Sequence, residues 1–390
     1  MEPKPRVTQI GLDCHKKFSR VTARDENGKI AWRQRLEHAN RDELRARLKT
    51  WPRGVPVVLE GTFGWGWLSD ELKEAGLEPH LANSGKVAAW RKARGIAKSN
   101  RTDADLLSEL PTESTWWEVW LAPPEVRDQR EWLRYRMGLV KAQTQLKNRI
   151  HALLHRHGIV HEYADLFGTQ GRRFLSLLVA PKDVTLRDSA RSTLKGHLQL
   201  LDQVRRHIAT ATRSLRRQIK RNPTGERLRT LPGIDRILAY TILAEIGRIK
   251  RFASAKRLAS YSLLVPRAND SGDEDDEIPK GRHVGRIGRR TLKWAFIEAA
   301  HGAVRKGGRY RAIFDRRTNG GKRDRNRGYI AVGHALCHAT YGVWKKEIAY
   351  TADPPPRPGS RSASRTSRPG TGQPDLARVA AVVGSLQTSL

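Results

Sequence analysis

Asp13, Glu60 and Asp103 are the acids of this chain whose setting suggests chemistry. Asp13 closes the short apolar run "IGLD", and Glu60 closes the β-branched run "VVLE". Asp103 stands near the start of the helical stretch "KSNRTDADLL". Carboxylates at strand ends of an α/β fold face the crevice in which ligands sit. Oxygen donors converging there suit Mg2+, an ion that orients and polarises a phosphodiester. The competing reading is three ordinary surface acids, and the sequence spacing leaves both open. A second reactive candidate is Ser271 in "RANDSGDEDDE", which precedes Gly272 and five successive acids, Asp273 to Glu277. By spacing alone a serine-glycine pair is a loop turn. As a nucleophile, the hydroxyl would need a group to take its proton. The acidic run offers a base, yet it opposes an anionic substrate unless cations offset it. The segment "KGRHVGRIGRR", Lys280 to Arg290, supplies such cations.

The elements that must position these residues fall into distinct stretches. From residue 7 to 110, strand and helix signals alternate. "VTQIGLD" and "SRVTARDE" are short strands, and the Asn27-Gly28 turn before "IAWRQRLEH" is a hairpin signal. "NRDELRARLKTW" predicts a helix capped at Asn40, "VPVVLEGT" a buried strand, and "WGWLSDELKEAG" a helix ending at Gly76. This is an α/β layout with a mixed sheet. Between 125 and 220 the periods are helical. Trp132, Leu139, Leu146 and Leu153 recur every seven residues, as do Leu194, Leu201, Ile208 and Leu215, which predicts an antiparallel helical hairpin or coiled-coil arm. In "LRTLPGIDRILAYTILAEIG", the "LPGI" turn between helices resembles a helix-hairpin-helix segment, whose backbone N–H groups face a DNA phosphate. Beyond Ala352 the Pro, Ser, Gly and Arg of "PPPRPGSRSASRTSRPGTG" predict a disordered basic tail.

Charge narrows the partners. The chain has 390 residues, with 74 Lys and Arg against 40 Asp and Glu, a net +34. An excess of that size points to nucleic acid, and a simple basic packing protein fits poorly with 11 Trp and a varied, periodic sequence. The two cysteines, Cys14 and Cys337, have no metal-ligand spacing and no disulfide framework. No apolar run of about 18 residues exists to span a membrane, and the N-terminal residues lack signal-peptide order. A cytoplasmic, nucleoid-associated protein is the expectation. His151, His155, His157 and His161 lie among arginines and read as solvated or phosphate-facing rather than zinc ligands. "GRHVGRIG" follows no strand, which excludes a dinucleotide site.

The motifs "IGLD", "VVLEGT" and "KSNRTDA", followed by "WLAPPEVRDQREWLRYRMGLVKAQTQLKNRIHALL", resemble the N-terminal domain of transposases of the insertion sequence 110 family. "LRTLPGIDRILAYTILAEIGRIKRFASAKRLASYSLLVPRANDSG" with "GRIGRRTLKWAFIEAA" is similar to that family's C-terminal transposase domain. The likeness runs over roughly residues 7–350 in the family's domain order.

The resemblance implies an α/β plus all-α protein. A RuvC-like, RNase H-type mixed sheet domain would occupy 1–122, a helical or coiled-coil arm 123–224, and a helical transposase domain 225–351, with the basic tail at 352–390. It implies a DEDD tetrad holding Mg2+, which falls on Asp13, Glu60, Asn100 and Asp103. Asn100 departs from the pattern, since an amide oxygen brings no charge. Asp105, two residues along the helix from Asp103, points away and does not compensate. The resemblance assigns the nucleophile to Ser271, which would form a covalent phosphoserine link to DNA. The run Asp273–Glu277 is more acidic than in relatives, a second departure. Partners implied are donor and target DNA, a structured bridge RNA that guides by base pairing, and further copies of the chain in a dimer or tetramer. Two alternatives stay open: a RuvC-like nuclease or junction resolvase that uses water, and an impaired nucleic-acid-binding remnant.

Overall fold

The computed structural model describes residues 6–112, 117–180, 185–265 and 289–351. Ser271, the acids Asp273–Glu277, most of the basic stretch from Lys280 and the tail beyond Ala352 lie outside the described residues.

The alternating apolar residues of the N-terminal stretch build a sheet whose two faces are covered by different helices. Strands β1 (Val7–Cys14), β2 (Phe18–Asp25) and β3 (Ile30–Glu37) form an antiparallel meander. Helix α1 (Arg41–Leu48) follows, capped by the Asn40 side chain accepting from the Asp42 and Glu43 amides, as the sequence predicts. Strand β4 (Pro56–Glu60), helix α2 (Trp65–Glu74), strand β5 (Glu78–Ala82), helices α3 (Ser84–Ala93) and α4 (Asn100–Glu109) and the short strand β6 (Glu118–Val119) complete the layer. Among the described residues the strand order is β3-β2-β1-β4-β5-β6, with β1-β4 and β4-β5 parallel and β6 antiparallel. This mixed sheet with helices on both faces fits the expected RuvC-like layout.

Register then decides which side chains meet. Ile10, Gly11 and Leu12 of β1 pair with Val57, Val58 and Leu59 of β4. Parallel pairing in that register brings Asp13 and Glu60, the next residues along, to the same end of adjacent strands. Period-two alternation sends Ile10, Leu12, Val57 and Leu59 into a core with Leu44, Leu48, Leu68 and Leu72 of α1 and α2. Val58 turns the other way, to Val87 and Leu107 of α3 and α4. Gly11, Asp13 and Glu60 share the alternation of that second face.

Helices make up the rest. The 33-residue helices α5 (Pro124–Arg156) and α7 (Asp188–Lys220), joined through α6 (Thr169–Leu178), pack side by side. Arg136 donates to Thr212 near one end, while Leu153 and Leu194 share a core towards the other, so the pair is antiparallel. The seam differs from the heptad drawn from Trp132. That residue is 44% exposed, and Leu133 is buried in its place. Leu194, Leu198, Leu201, Leu215 and Ile219 hold the seam of α7. Arg130 and Leu133 face the C-terminal helices rather than a partner arm, which shifts the register by one residue near the start of α5.

The last stretch packs α8 (Pro223–Leu228), α9 (Arg236–Ile246), α10 (Ala255–Tyr261), α11 (Arg290–Lys306), α12 (Gly308–Thr318) and α13 (Arg325–Lys346) around a large apolar core. Every residue of α9 from Ile237 to Ile246 is buried. In the "LPGI" turn, Gly233 adopts φ +81° and lies against α11. A Cβ there would stand 2.0 Å from the Ala299 carbonyl oxygen. Among the described residues no helix is long and apolar enough to cross a membrane.

Candidate active site

Asp13, Glu60, Asn100 and Asp103 line one cavity of about 390 Å³ at the end of β1 and β4. Three different pieces of local structure deliver them. The two strands supply Asp13 and Glu60 through their parallel register. Helix α4 supplies the others from its first turn, where Ser99 and Thr102 form a reciprocal capping box. Asn100 and Asp103, three apart, project from one side of that turn. The positive end of the helix favours the Asp103 charge.

What lets α4 come so close is the absence of a side chain. A Cβ on Gly11 would lie 2.2 Å from the Ser108 amide nitrogen and 2.3 Å from the Ala104 carbonyl oxygen. Only glycine allows α4 to rest its backbone on β1, and that contact carries Asp103 to Asp13. Asp105 fixes the helix on its other side. Its carboxylate accepts from Arg33 Nε at 2.8 Å, Arg33 Nη2 at 2.9 Å and Thr22 Oγ1 at 2.6 Å. Asp105 therefore faces β2 and β3, consistent with the reading that it does not replace the missing acid. Burial pushes its carboxyl up, but the hydrogen bonds from Arg33 and Thr22 outweigh this and hold it below the ordinary value.

The acids are crowded by one another and by few cations. Asp13 is 7% exposed. Burial pushes its carboxyl above the ordinary range, against the pull of His15, and the charge of Asp103 adds to the push. Glu60 is raised by burial, then by Asp13 and Asp103, while Lys98 and Arg91 oppose the rise. Arg91 donates from Nη1 to Asp103 Oδ1 at 2.9 Å. His15 Nε2 lies 2.9 Å from Asp13 Oδ2. The pair is not aligned as a hydrogen bond, so that buried oxygen has no hydrogen-bond partner.

This donor set fits a hard divalent cation. All four residues offer oxygen, the charge of Asp103 adds to the rise of both Asp13 and Glu60, and one buried Asp13 oxygen accepts no hydrogen bond. Among the described residues no three His, Cys, Asp or Glu side chains stand close enough to hold an ion unaided. Mg2+ does not require that, since it is held by one or two carboxylates and completed by waters and substrate phosphates. Asn100 adds a neutral oxygen.

His15, Arg91, Lys98 and the 73%-exposed Phe63 also line the cavity and were not drawn from the sequence. His15 could have been noticed as the next-but-one residue after Asp13 at a strand end. Nothing in the spacing of Arg91 or Lys98 marks them. His151 and His161 join Tyr163 and Phe167 in an aromatic cluster at the end of the long helical pair.

Comparison with known proteins places these elements in a family context. Residues 10–159 match the family model of the DEDD transposases of IS110 type. Residues 225–315 match the model described as transposase IS116/IS110/IS902 family. The transposase for insertion sequence element IS1111A of Coxiella burnetii is 26% identical over 300 residues, covering 76% of this chain and 78% of that protein. A probable family 20 transposase of Pseudomonas aeruginosa is 24% identical over 307 residues, covering 77% and 85%. The transposase for IS1328 of Yersinia enterocolitica is 24% identical over 300 residues, covering 76% and 84%.

Proposed function

The chain belongs to the IS116/IS110/IS902 family of transposases, DNA-recombining enzymes, and from that premise we propose that it moves its insertion sequence by RNA-guided, serine-linked strand exchange. The observation that carries the reading is the convergence of Asp13, Glu60, Asn100 and Asp103 on one cavity. The overall basic charge supports a double nucleic-acid partnership, with sequence choice delegated to a bridge RNA.

In this reading Ser271 Oγ attacks a DNA phosphorus. The new Oγ–P bond replaces the P–O bond to the leaving deoxyribose oxygen, which takes up a proton as the serine gives one up. Attack by another strand's hydroxyl then reverses the bond change and frees the serine, so no phosphodiester is lost to water. Asp13, Glu60, Asn100 and Asp103 would hold Mg2+, which when bound polarises the phosphate and steadies its developing charge. Arg91 and Lys98 limit the repulsion between the carboxylates and an arriving phosphate. His15 stands beside Asp13 and favours its ionised carboxylate. Helices α5 and α7 would serve as a coiled-coil arm for dimer or tetramer assembly, and the turn before α9 as a helix-hairpin-helix-like phosphate contact. The protein would act in the cytoplasm, on the nucleoid.

Asn100, standing where the DEDD pattern has an acid, favours one second reading: an impaired remnant that binds nucleic acid without strand transfer. A denaturing gel of protein made with its native flanking DNA separates the two. The proposal expects a protein–DNA adduct that maps to Ser271 and is lost in Ser271→Ala. Free 5′-phosphate ends without an adduct would instead indicate water attack, and bound RNA without any cut strand would indicate the remnant.

A further inference from the structure

A second cavity, of about 530 Å³, lies on the other side of the loop that leaves Glu60. Thr62 and Phe63 of that loop face the carboxylate cavity, whereas Gly61, Gly64 and Trp65 face this one. The same four-residue connection from β4 to α2 is thus the wall between them. Arginines from two distant parts of the chain enter the second cavity. Arg127, Arg130 and Arg134 come from successive turns of α5, and Arg289 stands just before α11. Glu131 is the single acid of the lining among the described residues.

These arginines are held in different ways. Arg130 is 5% exposed, and its Nε and Nη2 donate to the carbonyls of Ala244 and Glu245 at 2.9 and 3.0 Å. Burial, with Arg289 next in effect, lowers its pKa to about 10, so the cavity is a place where positive charge is concentrated at a cost. Arg127 donates to the Gly66 carbonyl at 2.5 Å and pairs with Asp70. Arg289 donates to the Tyr261 hydroxyl at 2.8 Å and stands 3.7 Å from Glu245. Arg134 is exposed and has neither an ion pair nor a hydrogen bond among the described residues. Two helix starts add to the field. Helix α2 begins at Gly64 without a side-chain cap, and Ser84 opens α3. Trp65 and Trp120 form flat walls, each with a guanidinium 5.5 Å from its ring.

We propose that this cavity is a subsite for one phosphate of a single nucleic-acid strand, fixing the strand beside the carboxylate cavity. Forked guanidiniums suit phosphate oxygens, and the uncapped start of α2 adds N–H donors. The volume suits a nucleotide-sized group rather than a duplex. The aromatic walls suit the adjoining sugar and base, as in sequence-tolerant single-strand grooves. The inference rests on a nucleic-acid substrate, as the proposed function does, but it needs neither Ser271 nor a metal.

The test is equilibrium binding of the full chain, in chelator, to a fluorescent single-stranded DNA and to single-stranded RNA of the same sequence, across a salt series. Arg134→Ala should weaken binding about tenfold, the worth of one charge-assisted contact. It should also make the log-affinity versus log-salt slope shallower by about 0.7. Ser84→Glu should weaken binding at least as much, although an acid at a helix start favours the fold. Arg217→Ala, on the exposed side of α7, should change little. A loss confined to DNA or to RNA identifies the strand held. Equal losses in Arg134→Ala and Arg217→Ala would overturn the subsite in favour of a diffuse basic surface. So would a duplex that binds through Arg134 as tightly as either single strand. Because no cleavage is read, an inactive carboxylate cavity would leave these results unchanged.

Discussion

Two glycines do the same mechanical thing in different parts of the molecule, with different consequences. Gly11 lets α4 rest on the sheet, and Gly233 lets the turn before α9 rest on α11. In the first case the close approach delivers Asp103 to a polar cavity beside Asp13 and Glu60. In the second it closes an apolar core around Phe296, Ala299 and Ala303. The sheet region tolerates crowded charge because the crowding lies at strand ends that open to a cavity. The helical region buries its charges as opposite signs near one another, with Arg289 3.7 Å from the buried Glu245 and Arg130 bonded to that residue's carbonyl. Close backbone packing is therefore a shared means, and the residues beside the contact determine whether it makes a site or a scaffold.

The sharpest way to break that comparison is Gly233→Ala. The new methyl would meet the Ala299 oxygen at 2.0 Å and the Ala303 nitrogen at 2.7 Å, on a backbone at φ +81°. Overpacking and left-handed strain together should cost about 3 kcal/mol or more, read as a fall in the chemical-denaturation midpoint. Gly11→Ala should cost about 2 kcal/mol. It should also abolish DNA cleavage at temperatures where the chain remains folded, because α4 must retreat from Asp13. If cleavage survives, the four site residues do not act together.

Asp105→Ala tests the anchor of α4 rather than its contact. Losing charge-assisted bonds to Arg33 should cost about 1.5 kcal/mol at neutral pH. The Asp105 carboxyl is held below its ordinary value of 3.8, so the folded state binds this proton less readily than the unfolded chain. The stabilisation is complete above pH 3.8 and is lost as the pH falls through the depressed folded value. The gap between wild type and Asp105→Ala in urea midpoint should narrow in that acid range and hold constant above it. The smallest expected effect is that of Asn100→Asp. A further carboxylate should tighten divalent-ion binding several-fold, seen as a larger thermal shift on adding Mg2+. An unchanged shift would remove Asn100 from the ion's surroundings.

Much of the sheet region was legible because its signals are local. Asn40 caps α1 and the apolar runs give strands at β1 and β4, each with its acid at the end. Helix α3 and strand β5 were missed, since "EPHLA" and "SGKVAAWRKA" carry weak periods and depend on the sheet for their place. The seam of α5 was misread at Trp132 for a related reason. Its first turns pack on the C-terminal helices, so a heptad drawn for a lone helical pair selects the wrong neighbour of Leu133. Arg91 and Lys98 could not be found by spacing, because their value lies in a proximity that only the packed sheet and helices create.

Gly11 has a further consequence for how copies of such a gene decay. The group that closes the carboxylate cavity is a missing side chain, which no motif of acids records. One substitution there would open the contact between α4 and β1 while Asp13, Glu60, Asn100, Asp103 and Ser271 all stayed in place. A survey of genomes that scores family members by these motif residues alone would pass such a copy as intact.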